Sequence, residues 1–387
     1  LPRHRLQDRS PENIAGYNFW EAPIGTGPFR FDRREADQAI LFTRNDDFYA
    51  GAPYLDQVAL LIAPDKTVAA TALGNNDLQL AEFGGPTEVI TDVTLPDNTT
   101  RGTYTENGWY GVVFNTREGR VFADGRVREA LARAVDVPAI VRDIVGDNGA
   151  PIATTIVSNT WAYPGNTGIA APDLEAARQL LDEAGWIVGG DGIREREGQR
   201  LAVQLFVRGD DARRVAAAQR IAQAAGEIGI AIEVVPSNFD TVILAKLAPP
   251  YDFDLVLGSW VNAPNSAGFP TNRFYDPDDY GLFHSSRVWN GDGDTRTALR
   301  NVGGFRNGDY DAAAERARRT YDLDERANVI AEAQAVLARE RPYLYLWSNR
   351  FVVALNEQIR SNGEPIDLNS PRPLWNVEDW YVVQNDE

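Results

Sequence analysis

The chain holds two histidines, His4 and His284, and no cysteine. A helical zinc pair, a thiolate metal site, a cysteine nucleophile and a Ser-His-Asp relay therefore all lack local support. His284, within Phe283-His284-Ser285-Ser286, reads as a surface-loop residue. Carboxylates are abundant, with 56 Asp and Glu, so an acid/base pair of the glycosidase kind could be assembled; sequence alone does not fix its separation. Asn290-Gly291-Asp292-Gly293-Asp294 alternates oxygen ligands as a calcium loop does, but Thr295 replaces the required glycine and Asn301 the bidentate glutamate. Gly25-Thr26-Gly27 suggests a phosphate loop only until Arg30 appears where a third glycine belongs and a strand follows in place of a helix. Aromatic faces with amide and hydroxyl groups are the usual furnishing of a ligand pocket. Trp260 leads this set, at the end of the apolar run Asp254 to Trp260, with Asn262, Asn265 and Phe269 after it. Trp109 with Tyr110, Trp161 with Tyr163, Glu82 with Phe83, and Arg273 complete it; Glu82 would hold a cationic group of the ligand.

These residues need elements to position them. Gly25 and Gly27 free the backbone for a bend, Pro28 fixes one torsion, and Phe29, Arg30 and Phe31 alternate as a half-buried strand that opens a hairpin. Tyr54 to Leu61 alternates again, a short helix covers Thr67 to Leu73, and Asp77 to Phe83 leads into a strand. Trp109 to Asn115 reads as a buried strand. A helix pair is expected over Val121 to Val145, where Asp136 caps and Pro138 sits in a first turn. Asp173 caps a helix over Leu174 to Ala184 that Gly185 ends. Strands at Arg200 to Val207, Ile230 to Val235 and Asp252 to Trp260 alternate with helices at Ala212 to Glu227 and Asn238 to Leu247, the pattern of an α/β layer with a largely parallel sheet. The strand bearing Trp260 should then end at a cleft, because ligands gather outside strand carboxyl ends. Helices over Ala312 to Tyr321 and Asp324 to Glu340 precede a strand Tyr343 to Trp347, and Trp375 to Val383 closes the chain as a strand.

At 387 residues the chain exceeds a single core, so two lobes are expected. A net charge of -18 disfavours nucleic acid and anionic membranes and suits neutral or cationic ligands. No apolar run is long enough to span a bilayer and no signal peptide stands at Leu1. The lack of any methionine is read as the mark of a processed or cut chain, or of methionine positions left out of it.

Taken in order, the Pro23 to Phe31 turn and strand, Ala39 to Asn45, Asp47-Phe48-Tyr49, the Val-Arg-x-Ala-Leu helix at Val127 to Leu131, Gly258-Ser259-Trp260 and the Asn301 to Asp311 turn resemble family 5 extracellular solute-binding proteins, the peptide and nickel class that feeds ABC transporters. The resemblance covers nearly the whole chain. It implies an α/β, two-lobed, periplasmic-binding-protein-like clamshell with mixed sheets flanked by helices. Residues 1-108 and 350-387 would form a first lobe lacking the family's N-terminal strand and small subdomain, and 109-349 a second. It implies no enzyme, no cofactor and no metal held by the chain. The expected role is an extracytoplasmic component, periplasmic or a cell-surface lipoprotein, that holds a peptide-like or oligosaccharide ligand in an interlobe cleft and delivers it unchanged to ABC permease subunits, acting as a monomer. Chelated metal is a further ligand class of the family, a ligand-sensing receptor a second reading, and a secreted glycoside hydrolase a third. In the family's peptide binders an aspartate three positions beyond the tryptophan grips the ligand's amino terminus; here that position is Ala263, with Asn262 and Asn265 beside it, and amides suit uncharged ligands.

Overall fold

The computed structural model describes residues 3–8, 10, 17–63, 66–84, 94–106, 108–157, 160–165, 169–261, 279–291, 299–370 and 372–383. The chain divides into two compact units, the first of Leu1–Phe83, Thr91–Tyr104 and Val352–Glu387 and the second of Gly84–Ile90 and Thr105–Phe351; the boundaries expected from sequence are 108/109 and 349/350.

In the first unit, β1 (Phe29–Glu35) and β2 (Ala39–Arg44) form an antiparallel hairpin with a bulge between Phe31 and Arg33. Asp37 takes the left-handed conformation at its turn, φ 56°, which a short polar side chain tolerates. Phe31 and Phe42 sit opposite one another and meet edge to face, ring centroids 6.2 Å apart. β3 (Gln57–Leu61) pairs with β2 and is the outer strand of this sheet. α1 (Lys66–Gly74) and β4 (Leu80–Phe83) follow, then β5 (Thr99–Thr105). An apolar groove of about 640 Å³ runs between β3, α1 and β4, and leaves Leu60, Leu61 and Val68 largely exposed.

The second unit is built on a mixed sheet. It contains β6 (Gly108–Phe114), β7 (Gly149–Pro151), β11 (Ala202–Arg208), β12 (Ala231–Ser237), β13 (Leu255–Val261) and β14 (Tyr343–Asn356), whose last residues belong to the first unit. A small hairpin sheet of β8 (Ile187–Val188), β9 (Arg194–Arg196) and β10 (Gln199–Arg200) stands apart from it. In the main sheet the order is β12-β11-β13-β6-β14, with β11 parallel to β12 and β13, and β6 antiparallel to both β13 and β14. Period-two alternation sorts its side chains. Tyr110, Val112, Phe114, Leu255 and Leu257 face α2 (Gly125–Ala134), α3 (Leu174–Glu183) and α4 (Ala212–Gly226) through Leu131, Leu181 and Ile221. Trp109, Val113, Val256 and Trp260 face α5 (Gly308–Ala317) and α6 (Leu323–Glu340) through Tyr310, Ala314 and Leu337. The result is a sheet with helices on both faces, each face buried against a helical stripe.

Caps set the helix limits. Asp124, Asp136, Asp173, Asp211 and Asp322 each accept a backbone N–H in the following first turn. α5 starts at Gly308, ahead of the expected Ala312, because the Asn307 amide caps Asp309 and Tyr310 at 3.0 Å. Asn238 to Leu247 is a π turn over Phe239–Ile243 followed by Leu244–Leu247 rather than one regular helix. The chain returns to the first unit with β15 (Ile359–Ser361) and β16 (Trp380–Val382), paired antiparallel. β16 is shorter than the expected Trp375 to Val383, because Trp380 Nε1 donates to Asn376 Oδ1 at 3.0 Å and ties down a turn over Val377–Asp379.

Candidate functional site

β11, β13 and β14 point the same way, so their carboxyl ends share one edge of the second unit's sheet. Open sheets of this kind bind ligands outside that edge. Trp260 near the end of β13 and Trp109 near the start of β6 are directly opposed, as are Ser259 and Tyr110. Alternation therefore separates them into two adjoining clusters, one on each face.

The first cluster is aromatic. The indoles of Trp109 and Trp260 stack at 4.6 Å with 19° between planes. Tyr343 stands edge-on to both, at 5.2 and 4.9 Å, and Tyr345 edge-on to Trp109 at 5.3 Å. Each such pair contributes about 0.5–1.5 kcal/mol beyond area burial. Trp109 is fully enclosed and Trp260 is 2% exposed. Burial drives the Tyr343 phenol upward from its ordinary pKa, with the charge of Asp279 acting in the same direction and Arg117 against it, so its O–H stays a donor. That hydroxyl and both indole N–H groups have no hydrogen-bond partner among the described residues.

The second cluster is polar. An irregularity between Tyr345 and Trp347 turns Trp347 toward the face of Tyr110, and the two rings stack at 4.7 Å and 8°. The Arg214 guanidinium lies 4.8 Å from the Tyr110 ring centre and donates to Ser259 Oγ at 3.1 Å. Asp211, the α4 cap, holds Arg214 at 2.9 Å, and the two side chains are 3% and 6% exposed. Asn349 Nδ2 donates to Tyr110 Oη at 3.1 Å and to Glu106 Oε2 at 2.8 Å. Burial raises the Tyr110 phenol, and the positive charge of Arg214 pulls it back. A hollow of about 20 Å³ opens beside Arg214, Ser259 and Trp260, the space of one water.

Of the sequence-expected residues, Trp109 and Trp260 meet on one face of this edge, and Tyr110 lies on the opposite face. Asn262, Asn265, Phe269 and Arg273, expected to extend the set, lie outside the described residues, as does most of the calcium-like loop. Trp161 and Tyr163 are 40% and 38% exposed, beside the separate cluster of Ile156, Ala162, Val329 and Ile330. Phe83 is buried in the first unit on β4, while Glu82 keeps much of its surface in solvent. Burial is still the larger influence on the Glu82 carboxyl, raising it above the usual glutamate range against a hydrogen bond with Tyr104 that lowers it. His284 is not a surface residue: it is 6% exposed, stacked on Tyr280 at 4.0 Å, and its Nδ1 accepts from the Ser286 backbone N–H at 3.1 Å. Arg214, Asp211, Ser259, Trp347 and Asn349 were missed. Asp211-Ala212-Arg213 carried a cap signal, and Ser259 alternates with Trp260, but neither disclosed a shared cluster.

Among the described residues no group of three His, Cys, Asp or Glu could hold a metal ion, and no helix is long and apolar enough to cross a membrane. The arrangement is a buried aromatic stack, its neutral donors unpartnered among the described residues, on one face of the sheet edge and a buried ion pair on the other.

Residues 4–281 match the family model described as bacterial extracellular solute-binding proteins, family 5, middle region. The oligopeptide-binding protein AppA of Bacillus subtilis is 26% identical over 99% of this chain and 67% of its own length. Protein XP55 of Streptomyces lividans is 29% identical over 87% of this chain and 58% of its own. The structure of Bacillus subtilis AppA in complex with a nonapeptide superposes with a TM-score of 0.69 at 25% identity, covering 99% of this chain and 72% of that one. NikZ of Campylobacter jejuni in complex with Ni(L-His) gives a TM-score of 0.73 at 23% identity, covering 98% and 72%. The fold is that of the two-lobed periplasmic binding proteins.

Proposed function

The chain belongs to the bacterial extracellular solute-binding proteins of family 5, and from that premise we propose that it is the ligand-capturing component of an ABC importer, passing its ligand unchanged to a membrane permease. The observation that carries this reading is the placement, at the carboxyl ends of parallel strands, of the Trp109 and Trp260 pair on one face and the Tyr110, Arg214, Ser259 and Asn349 cluster on the other. Aromatic rings with a few placed polar groups fit a ligand carrying apolar side chains and uncharged hydrogen-bonding groups. The ligands named for AppA and NikZ, oligopeptide and nickel chelate, define the classes to try first, with oligosaccharides alongside. The proposed state is an extracytoplasmic monomer, periplasmic or lipid-anchored, without turnover. It follows that calorimetric titration with these three classes gives saturable binding to one of them, and that Trp260→Ala abolishes it. Equal binding by Trp260→Ala would move the site away from β13, and breakdown of the added molecule would replace transport with catalysis.

A further inference from the structure

The tryptophan pair lies on a glycine pair. On the same two strands, Gly111 and Gly258 are directly opposed, two residues along from Trp109 and Trp260 and on the same face. Each indole folds back along its strand into the space a side chain would fill. A Cβ built on Gly258 would stand 2.9 Å from Trp260 Cη2 and 3.2 Å from Cζ3, and its three nearest atoms all belong to that ring. A Cβ on Gly111 would meet Trp109 Cζ3 at 3.1 Å and the Leu344 carbonyl oxygen at 2.8 Å. Neither glycine has the positive φ that would otherwise account for its presence. The sequence carries this as two mirrored triplets, Trp109-Tyr110-Gly111 and Gly258-Ser259-Trp260, joined antiparallel.

We propose that Gly111 and Gly258 are positioning residues: they let the two indoles lie flat along their strands, stacked and met edge-on by Tyr343, and so set the aromatic cluster at the end of β13. The functional weight of this arrangement rests on the reading of that edge as part of the ligand site. Any side chain at position 258 forces the Trp260 ring to turn, since strand backbone on the one hand and the Trp109 ring on the other leave it nowhere to slide.

Gly258→Ala is the cleaner probe, because the added methyl meets Trp260 before anything else. Closely stacked indoles couple excitonically and give a paired far-ultraviolet circular dichroism band, which Trp260→Phe removes. Gly258→Ala should lose most of that band and lower the melting temperature. In a Trp260→Phe background the same alanine should cost little, because phenylalanine lacks Cη2 and Cζ3, so the two penalties will not add. An unchanged band in Gly258→Ala, or additive penalties, overturns the proposal. Titration with a degenerate nonapeptide mixture separates the two claims. Weaker binding by Gly258→Ala than by wild type supports both. A lost band with undiminished binding leaves the glycines as positioning residues and overturns the ligand site at β13, as does a wild type that binds none of the mixture, chelate or oligosaccharide classes.

Discussion

At the residue scale the second unit concentrates its unusual chemistry in a few buried groups. Arg214 and Asp211 are an ion pair almost wholly out of water, and such pairs are costly to break from one side. Arg214→Met is expected to destabilise the protein by about 3–5 kcal/mol, because Asp211 stays behind as an unpaired buried charge. Adding Asp211→Asn should restore a large part, since the amide still caps α4 and carries no charge. Chemical denaturation of the single and double variants checks this; a double variant no more stable than Arg214→Met would show that packing, not charge, governs the cluster. The residue types of the site were legible in the sequence to an uneven degree. Trp109, Tyr110 and Trp260 stand out as aromatics at strand ends, and their joint placement follows from the family's order of segments. That Trp260 faces Trp109 and not Tyr110 depends on the register between β6 and β13, strands about 150 residues apart in a chain, and a one-residue slip would exchange the faces. Arg214 gives no local sign at all, because an arginine in an alanine-rich helix ordinarily lies in solvent.

At the element scale, capping residues carry the most testable claims. Asp124 accepts from the Arg126 backbone N–H at 2.9 Å and pairs with its guanidinium at 2.7 Å. The side-chain bond to Arg126 is the main cause holding the Asp124 carboxyl below its ordinary value, and burial opposes it. A depressed carboxyl contributes stability above its unfolded pKa and loses it as pH falls through the folded one. Asp124→Ala should therefore cost about 1 kcal/mol near neutrality, and its difference from wild type should shrink as pH drops below the reference value of 3.8. Thermal unfolding across that range tests it; a penalty that persists unchanged in acid would assign the effect to something other than the ionised cap. The fold was read best where such local signals coincide with periodicity, as at Asp173 before α3. It was read less well where a side chain overrides the pattern. Asn307 brings α5 forward, and Trp380 bonding to Asn376 converts half of an apparent strand into a turn. His284 was misplaced because nothing local to Phe283-His284-Ser285 shows that Tyr280 will cover its ring.

At the scale of the whole molecule, the chain supplies two compact units and a family identity, with the buried aromatic and polar clusters in the second unit and an apolar groove in the first. Its charge of -18 keeps such a protein dispersed and away from anionic surfaces, in keeping with a carrier that meets its partner specifically. A carrier differs from an enzyme in one respect that can be observed directly: the ligand leaves with the mass it had on arrival. Native mass spectrometry of the protein mixed with a defined pool of nonapeptides, nickel chelates and oligosaccharides, with the free and released molecules weighed afterwards, tests this. The result expected is a discrete one-to-one complex with members of a single class, absent in Trp260→Ala, and full recovery of those members intact. Shortened peptides or sugars in the released fraction, or complexes that form equally well without the Trp260 indole, would contradict it.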